Sequence, residues 1–291
     1  MGKNRGITIL MFGVVGILLI VTLALGVATA VKQGKEPKTN NDRGKQVADL
    51  TETPVPTQSA TDIPMPTETP TPTPTETPKY VVFLDPGQQR NENKDTEPAG
   101  PGSTEMVKKM SYGATSVTTD MREHEWNLIM ANLVKGELEA RGYKVVMSRD
   151  NADVNISNGE RAVLANESGA DIHVGIQADA GGDGVKGVYA QIPRNDNPYV
   201  GKMYNDCRSL ATYIKDAVIK ATGAGDRGFY ENNSLAEINY SKIPVVIMQL
   251  GFMSNREEDT NLQNAEYRQK MAVAICDGID EYFKAKEDTH D

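Results

Sequence analysis

The sequence predicts an α/β chain: a single domain with a mostly parallel central sheet flanked by helices, preceded by an N-terminal transmembrane helix and a Thr/Pro-rich linker. Three observations predict it. Short apolar runs at residues 80–84, 143–147, 171–178, 185–192 and 244–250 have the length and flanking turn residues of buried strands. Stretches with apolar residues three and four apart lie between them, and strand-helix alternation of this kind packs as a parallel sheet under helices. The composition also changes abruptly near Lys79, where a proline-rich tract gives way to the first apolar run.

Taken in order, residues 1–6 carry Lys3 and Arg5 and are expected in the cytoplasm. The uncharged run from Gly6 to Val31 is 26 residues long. About 20 apolar residues span a bilayer, so residues 7–31 read as a retained anchor. Ala28-Thr29-Ala30 matches the small-residue pattern of a cleavage site, which makes a signal peptide the competing reading. Residues 32–78 have no hydrophobic periodicity and repeat Thr and Pro. Proline favours the extended polyproline conformation at about 3.1 Å per residue, so this linker can hold the domain on the order of 100 Å from its anchor. These 78 residues carry equal numbers of acidic and basic side chains, so the net charge of −9 resides in the domain. That balance disfavours nucleic acid as a partner.

Within residues 79–285, the run at 80–84 is stopped by Asp85-Pro86-Gly87, which places Gln88 at a strand's carboxyl end, where open α/β sheets build their sites. A long loop to about Asp120 follows and is expected to be functional. Trp126, Ile129, Met130, Leu133, Val134 and Leu138 recur at helical spacing, and Gly142 stops that helix. Ser157 with Glu160 reads as a capping box opening the next one. Residues 203–221 and 267–283 supply two further helices, and 286–291 form a polar tail. Cys207 and Cys276 fall on apolar helix faces and are expected as buried thiols; two cysteines make no disulfide framework and no zinc motif.

Several short motifs in this order resemble one family, the zinc-dependent N-acetylmuramoyl-L-alanine amidases. They are Asp85-Pro86-Gly87-Gln88, Glu123 with Asn127-Leu128, Gly142-Tyr143-Lys144-Val145 with Ser148-Arg149, and Arg161 with Ala165-Asn166. Ile176-Gln177-Ala178-Asp179 and Gln249-Leu250-Gly251-Phe252-Met253-Ser254-Asn255 complete the set. Further features between Glu97 and Ser116 resemble the clostridial type. The resemblance implies an amidase-like domain that acts on peptidoglycan, with zinc held by two histidines and a glutamate and a second glutamate as the base.

Carried onto this chain, the three ligand positions are Gln88, Glu123 and Gln177, and the base position is Gln249. Three of the four are glutamine. A neutral carboxamide is a poor zinc donor beside imidazole or carboxylate, and it does not titrate as a general base must. No metal and no cofactor are therefore expected in the domain, although zinc serves the family. His173 cannot stand in, because residues four apart on a strand are about 13 Å apart. His124 points about 100° away from Glu123 around a helix, and His290 lies in the tail.

The reading that follows is a degenerate family member: a single-pass membrane protein with its domain outside the cytoplasm. It would be a pseudoenzyme that binds peptidoglycan glycopeptide or a cell-wall enzyme partner without hydrolysis. An active amidase with a rearranged site is the alternative, and a structural wall or spore-envelope scaffold is the second.

Overall fold

The computed structural model describes residues 78–289, Asp183 excepted. The expected anchor at 7–31, nearly all of the linker, and His290 lie outside the described residues. Among those that are described, no helix is long and apolar enough to cross a membrane.

A six-stranded sheet forms the centre. Its strands are β1 (Val81–Pro86), β4 (Lys144–Met147), β5 (Ile172–Asp179), β6 (Val188–Pro193), β7 (Asp226–Asn232) and β8 (Val245–Phe252), in the order β4-β1-β5-β8-β6-β7. All neighbouring pairs are parallel except β6 with β8, so the sheet is mostly parallel, as the alternation of elements predicts. The strands in the middle are apolar on both faces, which is what a sheet covered on both sides requires.

Side-chain alternation sorts the two faces. Leu84, Val174, Ile176, Val246 and Met248 belong to the main core with α1 (Glu123–Ala140), α3 (Tyr204–Thr222) and α6 (Ala265–Asp288). Trp126 on α1 is fully buried there and donates its indole N–H to Leu262 O at 2.9 Å. On the opposite face Phe83 packs with Ala165 of α2 (Asn158–Glu167), and Val245 and Ile247 pack with Ile238 of α4 (Ala236–Asn239). Strand period two therefore places Asp85, His173, Gly175, Gln177 and Gln249 on this second face.

Local signals act as expected at several joints. Ser157 Oγ accepts from Glu160 N at 3.2 Å, and Ser157 N donates to Glu160 Oε2 at 2.7 Å, closing the capping box at the start of α2. Gly223, at φ 75°, ends α3 in the left-handed conformation. Both cysteines are buried and free.

The structure differs from expectation in four places. The long loop after β1 contains a two-stranded antiparallel sheet, β2 (Asn93–Pro98) with β3 (Met106–Met110). β2 is NKDTEP and mostly exposed, so it has no apolar alternation to reveal it. The edge strand β7 is exposed and charged for the same reason. α4 and α5 (Arg256–Gln263) are too short and polar for a periodic signal. α6 continues to Asp288, into the stretch read as a tail, where Lys286 bonds Asp206 at 2.9 Å.

Candidate functional site

The turn that follows β1 is held by its carbonyl groups. Arg149 Nε donates to Pro86 O at 2.8 Å, and its Nη2 donates to Gly87 O at 3.0 Å. Arg161 donates to Pro86 O at 3.1 Å, to Gln88 O at 2.9 Å and to the Asp85 carboxylate. Both guanidiniums are buried. Every carbonyl from Pro86 to Gln88 thus has a fixed, forked donor. This clamp explains how Gln88 is kept at φ 62°, a left-handed conformation unusual for a side-chain-bearing residue.

The four positions singled out in the sequence come together through short contacts. Glu123 opens α1 and is buried; its Oε2 accepts from Ala114 N at 2.6 Å and its Oε1 from Asn127 Nδ2 at 3.2 Å. Gln88 reaches the same carboxylate, while its Oε1 accepts from Ser111 Oγ at 3.1 Å. Gln177 and Gln249 are direct register partners across β5 and β8, and Gln249 Nε2 donates to Gln177 Oε1 at 2.7 Å.

Two glycines allow this approach. A Cβ on Gly87 would stand 2.5 Å from Gln177 Cγ, and one on Gly113 would stand 2.6 Å from Glu123 Oε2 and 3.0 Å from Gln88 Cγ. A side chain at either position would force Gln177 or Glu123 to move.

Asn127 ties the halves together. It donates to Gly87 O at 3.0 Å as well as to Glu123, and its Oδ1 accepts from Ala178 N at 3.2 Å. Its role was not assigned from sequence, although the i, i+4 spacing from Glu123 on a helix is the signal that could have found it. Ser111 carries no such local signal, and Arg149 and Arg161 entered the sequence reading as motif residues without a role.

The fit of zinc can be tested on these donors. Both oxygens of Glu123 already accept N–H groups, and the carboxamide oxygens of Gln88 and Gln177 are each engaged by a protein donor. Zinc favours imidazole, thiolate and carboxylate, and here one carboxylate stands among carboxamides. The residues do not fit a zinc centre. Gln249 Oε1 is buried without a protein partner, and a carboxamide in that place accepts a hydrogen bond but no proton.

Burial pushes the Glu123 carboxyl up to about 7, although the N–H donors of Ala114 and Asn127 pull the other way and Asp179 adds repulsion. The ionised form is thus disfavoured in the folded chain. The group's contribution to stability is full below its unfolded pKa near 4.5 and is lost as pH rises through about 7. Between those values unfolding free energy should fall by about 1.4 kcal/mol per pH unit on account of this group. In Glu123→Gln the slope should shrink accordingly, as read from urea denaturation at pH 5, 6, 7 and 8. An unchanged slope would show that Glu123 stays ionised throughout.

Two grooves are lined by chain neighbours of these residues, Gln89 and Asp179, though by none of the four themselves. One, of about 780 Å³, is lined by Gln89, Asn91, Asn93, Tyr112 and Asn155 among others. The second, of about 290 Å³, is lined by Asp179, Tyr189, Arg227, Phe229, Tyr230 and Phe252. His124 is buried but belongs to no cluster of metal-ligand side chains among the described residues; His173 lies deeper on the Gln177 face, in a different cluster.

Residues 82–281 match the family profile described as N-acetylmuramoyl-L-alanine amidase. The chain is 30% identical over 168 residues to the uncharacterized protein YqiI of Bacillus subtilis, covering 58% of this chain and 78% of that one. It is 28% identical over 207 residues to the N-acetylmuramoyl-L-alanine amidase Rv3717 of Mycobacterium tuberculosis, covering 68% and 84%. The crystal structure of the N-acetylmuramyl-L-alanine amidase Ami1 from Mycobacterium smegmatis superposes with a TM-score of 0.64 at 26% identity, over 71% of this chain and 98% of that one.

Proposed function

Because the chain belongs to the N-acetylmuramoyl-L-alanine amidase family, we propose that it is an extracytoplasmic, membrane-tethered pseudoenzyme that binds peptidoglycan glycopeptide without cutting it. The observation that carries the reading is the engagement of the would-be zinc ligands by protein donors. The oxygens of Gln88, Glu123 and Gln177 are occupied by protein donors, and the position of the base holds Gln249. Such a site has neither a donor set to activate water nor a group to take its proton.

Binding is favoured by what remains. The larger groove offers carboxamides, a tyrosine and the charged side chains of Glu92, Lys94 and Asp95, polar groups that can meet the hydroxyls and amides of a glycan bearing peptides. The tether follows from the uncharged run at 7–31 and the extended linker at 32–78, which would hold the domain of 79–285 within the wall.

The test uses the full chain in detergent with purified sacculi. It should sediment with them and release no stem peptides above a heat-denatured control. Release of peptides bearing a new free α-amine would make it an active amidase and overturn the reading.

A further inference from the structure

On the sheet face that carries Gln177 and Gln249, four residues deeper along β5, lies a second group of side chains. Asp85 on β1, His173 on β5 and Glu237 on α4 each offer one ligand atom, and these atoms all lie within 4.8 Å of one another. Asp85 and His173 are fully buried and Glu237 is 4% exposed. The elements come from three separated parts of the chain, and Gly175 makes room for them: a Cβ there would stand 3.1 Å from Glu237 Oε1.

What sets this group apart is its free valences. Asp85 Oδ2, Glu237 Oε1 and both ring nitrogens of His173 have no protein hydrogen-bond partner. A buried polar atom without a partner costs about 1–3 kcal/mol, and one such atom from each of the three residues converges on the other two, as a common occupant requires. His173 Nε2 to Glu237 Oε1 is 3.6 Å, too long to serve as a hydrogen bond; the bond these groups can make among themselves joins the Asp85 and Glu237 carboxyls, when burial keeps a proton on Glu237. Asp85 is arranged as ligand carboxylates are: Ser148 and Arg161 donate to Oδ1, and Oδ2 is left free.

We propose that Asp85, His173 and Glu237 bind a divalent transition-metal ion of the zinc class. One imidazole and two carboxylates are a donor set such ions take. Three protein donors leave a fourth position for a buried water, and because the site is closed to solvent its role is structural: it ties α4 to β1 and β5, and through Asp85 to the turn that carries Gln88. It is distinct from the cleft, whose donors are already engaged.

The experiment measures zinc in the full chain, purified in detergent and dialysed with zinc and then without it. One equivalent per chain is expected by elemental analysis, and the same equivalent in Gln88→Ala and Gln249→Ala. Glu237→Gln and His173→Gln should each weaken zinc by more than the roughly 10- to 100-fold that loss of a mere supporting contact costs. If those variants do not fold, the wild-type chain decides alone: its melting temperature should fall when EDTA is added and return with excess zinc. Absence of bound zinc in the folded wild-type chain, with no effect of EDTA, would overturn the proposal.

Discussion

Replacing Gln88 and Gln177 by His and Gln249 by Glu should add one equivalent of zinc per chain to whatever the wild-type chain holds. The backbone already brings these positions together. Gln177 faces Gln249 across the β5–β8 register, Gly87 packs directly on Gln177, and Gln88 and Glu123 close together on Gly113 at the start of α1. Two imidazoles would join the one carboxylate to make a set that zinc accepts. Hydrolysis should return only weakly, because ligand histidines need hydrogen-bond partners that orient them, and Ser111 is placed to bond a glutamine at position 88. The two histidines alone should bind zinc and turn over poorly, and Gln249→Glu alone should do neither. Elemental analysis beside wild type decides the matter. A triple variant with native circular dichroism and no added zinc would mean that the cleft cannot open to admit an ion.

Arg161→Ala should be strongly destabilising, on the order of 3–5 kcal/mol, the usual cost of leaving a buried charge without its partner. Arg161 and Asp85 are both fully buried, and the guanidinium also serves Pro86 O and Gln88 O. For a domain of this size that loss lowers the melting temperature by on the order of 10 °C. Arg161→Lys should recover less than half, since an ammonium cannot span three acceptors that lie along a planar fork. Thermal unfolding followed by circular dichroism measures both. A loss below about 1 kcal/mol, the range of exposed pairs, would show that Asp85 is held by other means.

The alternation of apolar runs with helical spacing made the central sheet and its main helices legible, because burial on both faces writes itself into consecutive residues such as Val81 to Leu84 and Val245 to Leu250. β2 and β7 were not legible. Their residues face solvent and pair through the backbone, and backbone pairing leaves no trace in side-chain type.

The same division runs through the candidate site. Residue identity alone determined that positions 88, 177 and 249 hold carboxamides and cannot supply imidazole nitrogen or a titrating base; that is covalent chemistry and needs no fold. Sequence spacing along β5 also sufficed to separate His173 from Gln177, because the rise per residue of a strand is fixed. Only the tertiary structure decided what these groups touch. It engages the oxygens of Gln88, Glu123 and Gln177 with Ser111, Ala114, Asn127 and Gln249, and it brings Glu237 from a four-residue helix to His173 and Asp85. Glu237 is 64 residues beyond His173 in the chain, and no local pattern links them. Contacts of that kind arise where packed elements meet, and their energy depends on burial and partner distance, neither of which is written in residue type.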